Sequence, residues 1–356
     1  MEISQLTFLR FIAASAVVIF HFGREVPSLS WGATFWPYAN TAVSFFFVLS
    51  GFILAHVYGS RGVLNRRDFY AARFARIAPL YWAALLVVMA YAVYKHTLDG
   101  PAAMLNVALL QAWVPGYALT LNSPGWSLSV EVFFYLLFPW LLRTLKSVRR
   151  TAMLVGIMVV VWVINLALHV ALMDRPDLQS VTAGHEFTAY HPLTHVATFV
   201  VGVIGGLLFD AHRQTFQRMA LPLMAASVFC LSLLFLWPNP VVRYHHNGLL
   251  TPLYLMLLWG LGATNESRLS RLMSMRPLVL LGEASYGVYI LQFPVGIVHA
   301  PLATRFQWGV EATFWSYFLL LVLVSVVAFV WVERPLRTRI KTALSGRGAR
   351  TRTSTA

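Results

Sequence analysis

Cysteine and charge are both scarce in this 356-residue chain. The single cysteine, Cys230, stands inside the apolar run from Leu221 to Trp237, so the chain can form neither an internal disulfide nor a multi-cysteine metal site. Charged residues make up 11% of the sequence, against roughly 25% in an ordinary soluble domain. Hydrophobic residues reach 58%, and the mean hydropathy is +0.67. So little charge cannot cover a water-soluble body of this size, which excludes that class. The net charge of +14 does not restore a nucleic-acid reading, because the basic residues lie between apolar runs and not on one face of a soluble domain.

Long apolar runs take the place of charge. A bilayer core of about 30 Å takes about 20 residues of helix, since backbone polar groups must be satisfied within the segment. Runs near that length lie at 6–22, 39–58, 77–94, 126–142, 151–172, 193–209, 219–237, 249–263, 277–298 and 313–332. The expected fold is an all-α polytopic membrane protein with about ten transmembrane helices. The first run carries Arg10 and His21, and no small-residue cleavage site follows it, so it reads as a membrane helix and not a cleavable leader. The apolar stretch 102–113 is short and flanked by turn residues, which suits an outer-face or re-entrant element.

Orientation follows from the arginines. Those between Arg61 and Arg76, between Arg143 and Arg150, at Arg213 and Arg218, from Arg268 to Arg276 and beyond Arg334 would share one side with the termini. Only Arg24, Lys95, Arg175, Arg243 and Arg305 fall on the other, so both termini are expected in the cytoplasm. A membrane domain over 1–340 and a basic, disordered cytoplasmic tail over 341–356 complete the expected organisation.

Ionisable groups at membrane depth are costly, so each is a functional candidate. Arg10 and His21 are eleven residues apart on one helix, about three turns and roughly 16 Å, and so share a face. They read either as a snorkelling arginine and a packing histidine, or as an inner anion contact and a proton acceptor on one path. Arg73 and Arg76 are three apart on a helix, with Arg66 and Arg67 before them. Positive-inside topology explains them, but so does a polyphosphate ligand of nucleotide or CoA type. Glu131 lies about one and a half turns into the span that begins at Trp126, and a carboxylate there must be paired, hydrogen-bonded or protonated. Histidines gather in the outer segments: His169, His185, His191, His195, His245, His246 and His299. His191 and His195 have i, i+4 spacing, but with Pro192 between them, no HExxH and no cysteine pair, no metal site is expected.

These features occur within ordered motifs: Arg10 and His21, FFFVLSGFIL (Phe45 to Leu54), RFARIAPLYW (Arg73 to Trp82), WSLSVE (Trp126 to Glu131), GEASYGVYILQFPV (Gly282 to Val295) and VERP (Val332 to Pro335). In that set and order the chain resembles the membrane-bound acyltransferase family 3, which O-acetylates surface carbohydrates of bacteria. The resemblance implies helices around a central passage in the bacterial inner membrane, acetyl-CoA entering from the cytoplasm, and an acceptor hydroxyl at the outer face. It carries His21 over as the catalytic histidine, Arg10 as its motif partner, and Arg73 and Arg76 as contacts to the CoA phosphates. Ser44, Val132 and Gln292 stand where the family commonly has an acidic residue, a second glutamate and a histidine, so no role is carried over to them. The esterase-like periplasmic domain of some relatives is not expected here.

The mechanism expected from both readings has His21 remove a proton from a sugar hydroxyl or briefly carry the acetyl group. Glu131 would orient the imidazole or hold the acceptor, while Arg10, Arg73 and Arg76 anchor the nucleotide end of acetyl-CoA. Two other classes fit the same residues: a transporter using Arg10, His21, Glu131 and Glu283, and a noncatalytic scaffold among envelope polysaccharide assembly partners. The acceptor's identity and a succinyl alternative to acetyl stay open.

Overall fold

The computed structural model describes residues 3–173, 183–236, 248–264 and 267–344, and among these it is all helix and loop, with no strand. The helices are α1 (Ser4–Phe22), α2 (Ala42–Gly59), α3 (Arg66–Tyr94), α4 (Gly100–Val107), α5 (Gly125–Ser147), α6 (Thr151–Met173), α7 (Ala183–Tyr190) and α8 (Pro192–Ala211). They continue as α9 (Arg213–Arg218), α10 (Ala220–Leu236), α11 (Thr251–Ala263), α12 (Arg268–Met273), α13 (Arg276–Ile290), α14 (Gln292–Arg305), α15 (Val310–Ala328) and α16 (Arg334–Leu344). Among the described residues 7 helices are long and apolar enough to cross a membrane, or 8 if the bent pair α13 and α14 is one span. The shorter apolar helices α10 and α11 occupy two further predicted runs. The chain is an all-α, multi-pass membrane protein.

Local chemistry explains the element ends. Asn65 caps α3, its side chain accepting from the backbone N–H groups of Arg67 (3.0 Å) and Asp68 (3.3 Å), which starts the helix on the basic segment. Pro192 occupies the first position of α8 with His191 as its cap, so the helix begins between the two histidines.

The run over 277–298 departs from expectation, because it is broken at Leu291 with a bend of 74°. Pro294 has no N–H for the carbonyl of Ile290, four residues back, and its ring crowds that position. The freed Ile290 carbonyl accepts instead from Asn122 Nδ2 at 3.1 Å. A second departure is the π-helical turn Phe329–Glu333, which joins α15 to α16 and shifts the residues after it around the helix axis. α16 also carries the helix to Leu344, past the boundary expected at 340; the rest of the predicted tail lies outside the described residues.

Helices that build the site approach each other closely. A Cβ on Gly282 of α13 would sit 2.0 Å from the Thr7 carbonyl oxygen, so α13 lies directly on the first half of α1. Gly51 and Gly202 do the same for α2 and α8, where added Cβ atoms would come 2.3 Å from the Phe199 oxygen and 2.2 Å from the Val48 oxygen. Small residues at such crossings give membrane helices their packing contact.

The short apolar stretch after α3 is packed into the bundle end. Asn106 and Gln111 are fully buried, with Asn106 Nδ2 donating to the Ala102 carbonyl and Thr120, and Gln111 Nε2 donating to the Gly125 carbonyl at 2.8 Å. This segment roofs the start of α5, so α5 begins below the end of the bundle.

Candidate active site

A cavity of about 550 Å³ opens among the first turns of α1, the end of α2 and the start of α3. Arg10 comes from α1, Arg61 from just beyond α2, Arg73 and Arg76 from α3, and Glu131 and Tyr135 from α5. Tyr286 and Tyr289 of α13 close the opposite wall. A cavity of this size is typical of a small-ligand site, whose usual range is about 300–1,000 Å³. Four guanidinium groups in its lining give it affinity for anions.

The charges inside are interlocked. Arg10 lies within coulombic range of Arg76, Glu131, Glu333 and Tyr135, and Arg337 lies within range of Arg76, Glu333, Arg73 and Glu283. Glu131 accepts from the Tyr135 hydroxyl and, at 3.3 Å, from Ser50. Arg73 stands 5.7 Å over the Tyr135 ring and 6.0 Å over Phe69, and its Nε is buried without a hydrogen-bond partner among the described residues. An unpaired guanidinium donor beside a cavity has its hydrogen bond left to give.

The other end of α1 holds His21. Its Nδ1 is 2.7 Å from Gln292 Oε1. Gln292 is fully buried, and its Nε2 donates to the Tyr289 carbonyl at 2.6 Å, which turns Oε1 toward the imidazole. An amide oxygen only accepts, so Nδ1 carries the ring proton and Nε2 keeps its lone pair. Phe20, Phe22 and Phe293 pack edge-on around the ring at 5.1, 6.1 and 5.6 Å between centroids. His21 lines neither cavity. The wall of the basic cavity includes Tyr289 and Ser127, whose hydroxyls are 2.9 Å apart, and a second cavity of about 520 Å³ is lined by Phe22 and Phe293.

The predicted residues therefore fall into two groups. Arg10, Arg73, Arg76 and Glu131 share one cavity, and His21 stands apart from them. Glu131 does not orient the imidazole: it accepts from Tyr135 and Ser50 in the cavity it shares with the arginines, and His21 is paired with Gln292 instead. Arg66 and Arg67 do not join the cluster either. Arg66 lies over Trp140 at 4.8 Å, and Arg67 Nε donates to the Leu344 carbonyl at 2.8 Å. These two adjacent helical positions face elsewhere, and Arg61 joins the cavity lining instead.

Gln292, Glu333 and Arg337 were missed by sequence reasoning. Gln292 stood out only as a departure from a family pattern, and it proves to be the partner of His21. Glu333 belongs to the VERP motif, and the π-helical turn brings it among Arg10, Arg76 and Arg337. Two of the other histidines serve the scaffold: His191 Nδ1 accepts from the Leu193 N–H, and His195 bonds the Ala189 carbonyl at 2.9 Å. The side chain of His185 and the pair His245 and His246 lie outside the described residues. Among the described residues no three potential ligands gather around a metal position.

A family model described as "Acyltransferase domain" matches residues 3–334. Among curated proteins, the putative peptidoglycan O-acetyltransferase YrhL of Bacillus subtilis is 25% identical over 336 residues, which is 83% of this chain and 50% of that protein. The peptidoglycan O-acetyltransferase OatA of Listeria monocytogenes is 24% identical over 359 residues, 92% of this chain and 55% of that protein. The exopolysaccharide production protein ExoZ of Rhizobium meliloti is 27% identical over 320 residues, 86% of this chain and 94% of that protein. The chain thus spans about half the length of the first two relatives. No solved structure matches.

Proposed function

The chain belongs to the acyltransferase family whose domain covers residues 3–334, and from that membership we propose that it transfers an acetyl group from cytoplasmic acetyl-CoA to a carbohydrate hydroxyl on the far side of the bacterial inner membrane. Relatives named for O-acetylation of peptidoglycan and for exopolysaccharide production support a cell-envelope or exported carbohydrate as the acceptor. The observation that carries the reading is the hydrogen-bond chain from the Tyr289 carbonyl through Gln292 to His21 Nδ1, which leaves Nε2 as a base between two cavities.

In this reading Arg10, Arg61, Arg73 and Arg76 hold the phosphates of the donor at the mouth of the basic cavity. Glu131, fixed by Tyr135 and Ser50, keeps Arg10 and Arg76 from repelling each other and sets their orientation. The pantetheine arm runs toward Tyr289, and the hydrogen bond between Tyr289 and Ser127 opens to bring the thioester to His21. Nε2 then takes the proton of the acceptor hydroxyl as its oxygen bonds to the thioester carbonyl carbon. The C–S bond breaks, and the proton passes from the imidazolium to the departing CoA thiolate. Gln292 holds the ring in the productive tautomer throughout, as the carboxylate does in a hydrolase triad, but without a negative charge.

The test is transfer by the purified full chain in nanodiscs supplied with radiolabelled acetyl-CoA and envelope glycans. His21→Ala should reduce transfer by at least about 10³-fold, near the upper range of general-base contributions, while the variant inserts normally. Undiminished transfer by that variant removes His21 from the chemistry. Movement of acceptor with no consumption of acetyl-CoA replaces the enzyme by a carrier.

A further inference from the structure

The second cavity has a composition unlike the first. It lies at the far end of α1 and α3, against α14 and the start of α15, and is walled by Tyr91, Phe293, His299, Trp308, Phe314 and Tyr317. It holds no charged side chain. Its aromatic rings are braced: Phe306 stacks on Trp308 at 5.9 Å, and Phe22 packs on both Phe293 (5.4 Å) and Tyr317 (5.0 Å).

Three of these rings keep unused polar edges. The Tyr91 hydroxyl and the Trp308 indole N–H make no hydrogen bond among the described residues, although each residue is 40% exposed and free to do so with a ligand. His299 bonds Ser316 Oγ through Nε2 at 2.9 Å, which leaves Nδ1 without a partner among the described residues. A cavity made for an acyl or isoprenoid chain gains nothing from such groups. A pyranose matches them: its C–H faces lie on aromatic rings while its rim of hydroxyls meets donors and acceptors at the ring edges.

The cavity is also tied to the proposed base. Phe22 and Phe293 line it and pack edge-on against His21, and the Tyr317 hydroxyl donates to the Gln292 carbonyl at 2.9 Å. Phe22 and Phe293 are thus the side chains shared by the cavity wall and the surroundings of the imidazole. We propose that this aromatic cavity is the acceptor subsite and binds a neutral sugar ring, with Trp308 and Tyr91 as the stacking and hydrogen-bonding groups and His299 as a further hydrogen-bonding group. The assignment rests on the acyl-transfer reading above for its purpose, but sugar binding is measurable without transfer.

The experiment is saturation-transfer NMR on the full chain in nanodiscs with chitotetraose, cellotetraose and maltotetraose as probes, and dodecyl phosphate as the chain-like competitor. At least one oligosaccharide is expected to receive magnetisation from aromatic protons. Trp308→Ala should weaken that binding about tenfold, the equivalent of one good aromatic contact. Tyr91→Phe and Trp308→Phe, which keep a ring and remove a polar edge, should weaken it several-fold, and being mild changes they report on the site even if Trp308→Ala fails to fold. Absence of transfer to all three sugars, equal binding by the ring-preserving variants, or displacement of bound sugar by dodecyl phosphate at the same cavity would overturn the assignment. His21→Ala should keep sugar binding. A protein that binds sugar there yet never consumes acetyl-CoA retains this subsite and loses the transfer mechanism, so the two failures are distinct.

Discussion

The cavities on either side of His21 are nearly equal in volume, about 550 and 520 Å³, and share almost no chemistry. One gathers Arg10, Arg61, Arg73, Arg76 and Glu131; the other is aromatic and uncharged. In a protein where charge is scarce, placing so much of it around one cavity confines anion recognition to that cavity. The contrast teaches that sidedness is written in composition: in the proposed reaction the anionic donor goes with the guanidinium groups and the uncharged, amphipathic acceptor with the rings. The His21 imidazole, the proposed meeting point of the two substrates, is held by an amide and not by a charged group.

Breaking the divide at its centre should have the largest effect. His21→Ala removes the proposed base and should lower transfer by about 10³-fold or more with acetyl-CoA binding retained, measured by label transfer and by equilibrium dialysis. If acetyl-CoA binding falls with it, the histidine belongs to the donor site and the two-sided arrangement fails.

Next in size is the donor side. Arg73→Ala combined with Arg76→Ala takes away two charge-assisted contacts and should weaken acetyl-CoA binding by about 10²-fold, at roughly 1.5–3 kcal/mol for each such bond less the screening at an open mouth. Arg24 offers the control, because it lies at the far end of α1, where its Nε donates to the Phe20 carbonyl at 2.7 Å. Arg24→Ala should leave donor binding within about twofold, as for an ordinary surface change. Equal losses in both variants would mean that the inner arginines serve topology alone.

Gln292 tests the boundary itself. Gln292→Leu preserves volume and burial but leaves Nδ1 without an acceptor, so the ring is free to rotate or change tautomer. Turnover should fall about 10- to 100-fold at unchanged donor binding, a split between kcat and KM that a merely structural defect would not produce. Gln292→Glu should restore most of the turnover, since a carboxylate oxygen can accept from the same N–H.

Much of this arrangement was legible before any coordinates. Apolar runs marked each major helix because a span must satisfy its own backbone, and the low charge left few candidates for chemistry. What stayed hidden depends on direction and depth. Periodicity cannot show that Pro294 breaks a span in two and so delivers Gln292 to His21, nor that Glu131 shares a cavity with the arginines. The π-helical turn that brings Glu333 into the cluster has no signature in composition at all.

The smallest predicted effect separates number of charges from their direction. Arg66 and Arg67 belong to the same basic segment as Arg73 and Arg76, and a purely topological or diffuse electrostatic account gives all four comparable weight. The structure turns Arg66 onto Trp140 and Arg67 onto the end of α16, outside the cavity wall. Arg66→Ala and Arg67→Ala should therefore change acetyl-CoA binding by no more than about twofold, the scale of a screened charge near a site but not in it. A loss approaching that of the Arg73 and Arg76 pair would show that the donor phosphates sit further out along α3, and that the convergence of guanidinium groups around Glu131 serves the helices and not the ligand.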